Sequence, residues 1–230
     1  MLSRRERLRA ETTEEIKAIA LKLMASGGPD AIALRAIARE MGMTAGAIYG
    51  YFPTRDDLVT TLINDVYTSL VEKAEAARDA LPPEDIAGRI LAWGMALREW
   101  ALANPEGFRL IYGDPVPGYQ APAGGPAAEA EQRACAGLTA LLAAAWPKAR
   151  HLQPEDDYQW SDFDPGLVSH VRDLFPDLPP AGIALALRTW GRMHGPVALE
   201  VYGHLRPQAQ NPAKLYRAEL LDLIRSLGLD

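Results

Sequence analysis

The apolar positions of this chain recur at helical intervals, and no stretch alternates in the way a half-buried strand would. Ile16, Ala20, Leu23 and Met24 predict a first helix over about 11–26. Ser26-Gly27-Gly28-Pro29 stops it, with glycine past the end and proline beyond. Leu34, Ile37, Ala38 and Met41 form a complete i, i+3, i+4, i+7 stripe for a short second helix, which Gly42 ends. Thr44 is placed to cap a third short helix running to about Tyr51, which Phe52-Pro53-Thr54 breaks. Thr54 then caps a fourth helix, whose first turn holds Asp56 and Asp57 and whose face is lined by Leu58, Leu62, Val66 and Leu70.

Beyond residue 80 the pattern predicts a helix from Pro82-Pro83 to about Ala103, a short piece over Glu106 to Tyr112, and a Gly/Pro-rich loop over 113–126. An Ala-rich helix to Trp146 follows, then an irregular acidic and aromatic stretch over 147–165, and two final helices at about 180–204 and 212–227. Pro196 is expected to kink the first of these two. The fold class is therefore all-α. The expected organisation is a three-helix DNA-binding domain over 1–54 with a basic arm, a linking fourth helix over 55–79, and a helical ligand-binding and dimerisation domain over 80–230.

The second and third helices, joined by a glycine-containing turn, have the spacing of a helix-turn-helix, whose second helix can enter the major groove. In the run from Thr44 to Tyr51, Ile48 and Phe52 are spaced to anchor the helix to the core, with Met43 beside them. Thr44, Ala45, Gly46, Tyr49 and Gly50 are left to face outward.

Charge changes the picture in favour of this reading. The net charge of −6 over 230 residues looks unfavourable for nucleic acid. Residues 1–60, however, carry 9 Lys/Arg against 8 Asp/Glu, and the first ten residues hold four Arg against one Glu. A basic arm on a near-neutral domain, joined to an acidic remainder, suits a protein that presents one end to phosphates.

The run from Leu34 to Leu58 resembles the signature of the tetracycline-repressor (TetR) family. The short helix, glycine turn, Ile48-Tyr49 pair, Tyr51-Phe52 pair and Arg55-Asp56-Asp57-Leu58 opening of the fourth helix all fall in register, with the resemblance covering about 16–62. It implies that Arg35 reaches a phosphate or base edge, that Thr44 and Ala45 sit at the groove, and that Tyr49 and Tyr51 donate hydroxyls to phosphates. It also implies that Arg55 clamps the backbone. Packing is the alternative role for Tyr51, and an ion pair the alternative for Arg55. Two departures stand out. Ala33 occupies a position where the family commonly has Thr, and Gly50 one where a large side chain is usual. Gly46 and Gly50 place two glycines in one short helix, each costing roughly 1 kcal/mol relative to Ala.

Farther along, Trp190-Gly191-Arg192-Met193-His194-Gly195 and the run from Trp100 to Leu110 resemble a Trp–His–Gly (WHG) subclass of TetR C-terminal domains. Ala184, Gly191, Gly195 and Ala198 lie close to one helical face, and the resemblance implies a homodimer formed through the last two helices. Trp93, Trp100, Phe108, Tyr112, Trp146, Trp190 and His194 are the candidate lining of a small-molecule pocket. His194 has a second reading, as a packing histidine beside Trp190; with His204 ten residues away it lacks zinc-ligand spacing.

These features lead to one expectation: a cytoplasmic DNA-binding transcriptional regulator, a repressor released from a palindromic operator by a small molecule. The alternative is a regulator that binds double-stranded DNA independently of any ligand. No catalytic residues, metal or cofactor are expected. The chain shows no phosphate loop, dinucleotide glycine pattern, nucleophile elbow or His-Glu-x-x-His run. The single Cys135 excludes an intrachain disulfide. No window of about 18 uncharged apolar residues predicts a membrane span, and no secretory leader is expected at the charged start.

Overall fold

The computed structural model describes residues 3–122, 124–153 and 157–229. Among these it holds ten α-helices, three short 3-10 turns and no strand. Two compact units emerge. The first comprises residues 1–68 with 104–131, and the second 69–103 with 132–230.

In the first unit, α1 (Arg4–Gly27), α2 (Leu34–Glu40) and α3 (Ala45–Ile48) pack around one core, with the first half of α4 (Arg55–Asp79) and α6 (Pro105–Tyr112) completing it. Ile16, Ile37, Ile48 and Leu58 are fully buried. Each such side chain contributes roughly 1.5–3 kcal/mol of burial, against the entropy of ordering the chain. α1 begins two turns earlier than its apolar spacing suggests. Ser3 and Glu6 form a reciprocal capping box, with the Glu6 amide donating to Ser3 Oγ at 3.2 Å and the Ser3 amide to Glu6 Oε2 at 2.6 Å. The exposed charged turns that follow carry no apolar period, so spacing alone does not reveal them.

In the second unit, α5 (Ile86–Ala103), α9 (Pro180–Val201) and α10 (Pro212–Ser226) pack together, with most of α7 (Pro126–Ala149) and α8 (Pro165–Leu174) in the same unit. Glycines permit the close approaches: a Cβ on Gly94 would lie 2.6 Å from Leu220 Cδ2. The buried Tyr216 hydroxyl donates to the Gly94 carbonyl at 3.1 Å, and burial pushes its pKa well above the ordinary phenol value. Arg98 and Glu200 form a bidentate pair at 2.7 and 2.8 Å, largely shielded from solvent.

The region read as irregular contains structure. α7 continues through Pro147 to Ala149. α8 was not expected: Asp164 caps it by accepting from the amides of Gly166 and Leu167, Pro165 occupies its first turn, and Val171 is buried. Of the acidic stretch, Glu155 and Asp156 lie outside the described residues. α9 likewise runs on through Pro196, which removes one backbone donor from its ladder.

Candidate nucleic-acid interface

The helix-turn-helix is built from the core outward. α2 buries Leu34, Ile37 and Ala38, which leaves Arg35 exposed on its opposite face. Its N-cap is Ala33, which offers no side-chain cap. After α2 the chain reverses at Gly42, whose φ of +64° is a left-handed conformation natural to glycine. The Met43 amide then returns to the Ala38 carbonyl at 2.8 Å, closing the turn.

Thr44 caps α3 as expected, its hydroxyl oxygen accepting from the Ala47 amide at 3.3 Å. The hydroxyl proton remains able to donate elsewhere. α3 itself is only Ala45–Ile48, shorter than the span to Tyr51 that the sequence suggests. The amides of Gly50 and Tyr51 bond three residues back, to Ala47 and Ile48, so the last turn tightens after Ile48. A helix of this length does not form in isolation. It is held by Ile48 at 0% and Phe52 at 6% exposure, the two anchors expected from their spacing, with Met43 half-buried. Thr44, Ala45, Gly46, Ala47, Tyr49 and Gly50 form the exposed surface.

Tyr51 differs from its neighbours. It is half-buried, and the guanidinium of Arg9 lies 4.9 Å from its ring centroid. The same guanidinium donates through Nη2 to the Gly50 carbonyl at 2.7 Å. Arg9 thus joins the group across 41 residues of sequence. The basic character of the arm pointed to this region, but no local spacing identified that particular arginine. Arg55 is also engaged within the chain: its guanidinium donates to the carbonyls of Ile32, Pro29 and Pro117. At the opening of α4, Thr54 and Asp57 form a second reciprocal cap, with the Asp57 amide donating to Thr54 Oγ1 at 3.0 Å.

The seven aromatic and histidine candidates for a pocket fall into separate environments. Phe108 and Tyr112 pack in the first unit, with ring centroids 5.1 Å apart and Tyr67 edge-on to Tyr112 at 6.1 Å. Trp93 and Trp100 are buried in the second unit, where Trp100 Nε1 donates to Ser69 Oγ at 3.0 Å. Trp146 packs against the cluster of Val171, Leu178 and Ile183. Trp190, 44% exposed, lies 5.3 Å from the His194 ring, and burial lowers the His194 pKa. A separate surface cavity of about 850 Å³, bordered by Trp160, Phe163, Val168 and Arg172, includes none of the seven.

On α9, Gly191 and Gly195 each have open space where a Cβ would stand, and Ala198 is half-buried. Ala184 is only 5% exposed and is covered within its own chain. Leu187, Trp190 and Leu199 on α9, Tyr202 just past its end and Leu215 on α10 are large apolar side chains all more than a third exposed. Among the described residues, no group of three or more His, Cys, Asp or Glu could hold a metal ion, and no helix is long and apolar enough to cross a membrane.

Sequence profiles of known families match both parts of the chain. Residues 16–62 match the bacterial regulatory proteins of the tetR family, and residues 90–223 match the tetracyclin repressor-like C-terminal domain. The chain belongs to the TetR family. The crystal structure of the regulatory protein SCO4313 is similar over 97% of this chain and 100% of that one, with 34% identity and a TM-score of 0.71. A tetR-family regulatory protein from Rhodococcus RHA1 shares the fold at a TM-score of 0.68 and 16% identity, over 95% of this chain and 97% of that one. HTH-type transcriptional regulators of Mycobacterium tuberculosis and Mycobacterium bovis are 38% identical over 118 residues, 50% of this chain and 50% of each relative. The match spans about half the length of these curated relatives. This TetR-family chain thus joins a family of bacterial regulatory proteins, and it is all-α among the described residues. The C-terminal match includes Trp190, His194 and Gly195, the residues that suggest the WHG subclass, and its description names the tetracyclin repressor-like domain without a subclass.

Proposed function

We propose that this TetR-family regulator is a cytoplasmic homodimeric repressor that binds a palindromic operator and is released from it by a small molecule. The observation that carries the DNA-binding part is the α2–turn–α3 unit. Its anchors are buried, its reversal is made by Gly42, and Thr44, Ala45, Gly46, Tyr49 and Gly50 stand exposed along α3 and its two ends.

In this reading Arg35 and Tyr49 contact phosphates, and Tyr51 does so beside the positive charge of Arg9. Phosphate contacts set register on the duplex, whereas base edges set sequence. Thr44 offers a hydroxyl proton and Ala45 a methyl to a base edge. With two glycines here, few side chains read bases directly, so DNA shape supplies much of the specificity. Arg55 borders this surface.

The dimer forms through the outer face of α9 with α10, where Gly191, Gly195 and Ala198 admit a close neighbour and Leu187, Trp190, Leu199 and Tyr202 supply apolar area. Ala184 lies beneath that face and supports it. Two copies then place their α3 helices about one DNA turn, roughly 34–36 Å, apart, or a multiple of it. α4 begins in the first unit and ends in the second, which suits it to carry a ligand's effect. A ligand that favours the splayed dimer shifts the population away from DNA. Its contacts are proposed within the second unit, among Trp93, Trp100, Trp146, Trp190 and His194, with Phe108 and Tyr112 of the first unit as a separate candidate pair.

The test is selection of bound fragments from genomic DNA with the full chain, followed by affinity measurements at several salt concentrations. A sequence-specific complex whose affinity falls steeply with salt is expected. Failure to select any sequence sinks the reading. If compounds that bind the protein leave operator affinity unchanged, ligand release is wrong and the ligand-independent regulator replaces it.

A further inference from the structure

Arg55 opens α4, where the family resemblance implies a clamp on the DNA backbone. Its guanidinium is occupied inside the chain. Nε donates to the Ile32 carbonyl at 2.7 Å, Nη2 to Pro29 at 3.2 Å and Nη1 to Pro117 at 3.0 Å. Pro29 and Ile32 belong to the turn joining α1 to α2, and Pro117 to the Gly/Pro-rich loop between α6 and α7. All of these residues lie in the first unit.

Three other features bear on the same junction. Thr60, further along α4, shares a hydrogen bond with the Tyr119 hydroxyl at 2.9 Å. Val116 seats the loop at 7% exposure. α2 starts at Ala33 without a side-chain cap, so the turn before it lacks the polar fastening a threonine hydroxyl would give. The Arg55 fork grips that turn on both sides, at Pro29 and at Ile32. A lysine could not replace it, since a compact ammonium lacks the wide planar set of donors needed to reach three separate carbonyls.

We infer that Arg55 is a positioning residue: it locks the helix-turn-helix to the 113–122 loop, and DNA affinity depends on it through this geometry rather than through its charge. The inference rests on the DNA-binding reading above. The loop becomes part of the DNA-reading apparatus without touching DNA. A shift of Pro117 removes one of the three bonds that hold the start of α2, and with it the placement of Arg35 and α3.

The experiment uses the full chain and the selected operator fragment. If the unaltered protein binds no DNA sequence specifically, the functional reading fails before this inference is reached. Given binding, Arg55→Lys keeps the charge and is expected to weaken affinity at least tenfold. Arg55→Met is expected to do likewise, with the slope of log affinity against log salt unchanged in both. Wild-type affinity in Arg55→Lys overturns the inference. So does a slope reduced by about 0.9 in Arg55→Met, the mark of one lost phosphate contact.

Val116→Ser, at a residue outside the proposed contacts, is expected to weaken binding severalfold and to add little to Arg55→Lys, because the two act through one junction. Tyr119→Phe should lose two- to fivefold. If the Arg55 variants do not fold, these two carry the test, and wild-type affinity in both overturns the inference. A lowered melting temperature with unchanged affinity of the folded fraction shows a stabilising role alone and also overturns it.

Discussion

Glycine serves opposite ends in two settings of this molecule, its packed interior and its open helix faces. Between packed elements the space above glycine is filled by the chain itself. A Cβ on Gly137 would run into Cη2 of Trp93 and meet Cζ3 at 3.1 Å, and one on Gly94 would meet Leu220. These glycines let helices approach and repay their conformational cost in packing. Around α3 and on the outer face of α9 the space stays open: nothing lies within 4 Å of a Cβ built on Gly46, Gly191 or Gly195. Filled glycines are explained by the fold. Open glycines at helical positions, with exposed Tyr49 beside one set and exposed Trp190 beside the other, mark the surfaces proposed for DNA and for a second copy.

The largest expected effect is at Gly191. A Cβ at Gly191 has open space within 4 Å, so Gly191→Leu should leave the subunit folded with nearly unchanged helix content. If α9 is the dimer face, a leucine there holds the two copies apart. Light scattering should then report a monomer, and operator binding should fall at least a hundredfold because two half-sites are no longer bound together. A stable dimer that keeps its operator affinity removes α9 from the interface.

Gly137→Ala attacks the filled class. The rigid indole of Trp93 cannot step aside as the end of a leucine could, so overpacking should destabilise the chain by about 2–3 kcal/mol in chemical denaturation. Operator affinity of the folded fraction should stay within twofold. An unchanged denaturation midpoint would show that the second unit absorbs the methyl group and that the distinction between filled and open glycines is weaker than drawn.

The comparison also separates what could be read from sequence from what could not. The apolar stripes of α2 and α4, the Thr44 cap and the Ile48 and Phe52 anchors all follow from contacts within a few residues, where periodicity and capping rules operate. The first turns of α1 lack an apolar face and so went unread, although Ser3 and Glu6 carry the spacing of a capping box. α8 escaped because its stop and start signals sit among acidic and aromatic residues that read as loop. Arg9 and Arg55 have partners 23 to 62 residues away. Sequence reveals their charge but not the carbonyls that engage it. For the same reason, a list of aromatics did not reveal that Phe108 and Trp93 lie in different units.

Gly46→Ala tests the open class where it faces the proposed groove. No neighbour opposes the methyl group, and α3 should gain helix propensity, stabilising the chain by up to about 1 kcal/mol. If Gly46 merely lacks a side chain, operator affinity should be unchanged or slightly improved. A tenfold loss in a more stable protein would show instead that the DNA backbone approaches too closely for a Cβ. Either outcome assigns Gly46 a definite role, whereas loss of stability would contradict the open geometry.

The smallest expected effect concerns His194, beside the open glycines of α9. Burial disfavours its charged form and holds its pKa below the ordinary 6.5. Well above pH 6.5 this group is neutral in folded and unfolded chains alike and adds no pH dependence. As pH falls from 6.5 through the folded pKa, the unfolded chain takes up the proton first, so stability declines across that window and levels off below it. His194→Gln should remove this portion of the decline while the other histidines contribute equally in both proteins. Melting temperatures of the pair at pH 7.5, 6.5 and 5.5 measure the difference. Parallel curves would show that His194 is no less solvated in the folded protein than in the unfolded chain. If the gap widens with protein concentration at pH 7.5 and closes at 5.5, the burial belongs to the dimer, and the open face of α9 is where protonation acts.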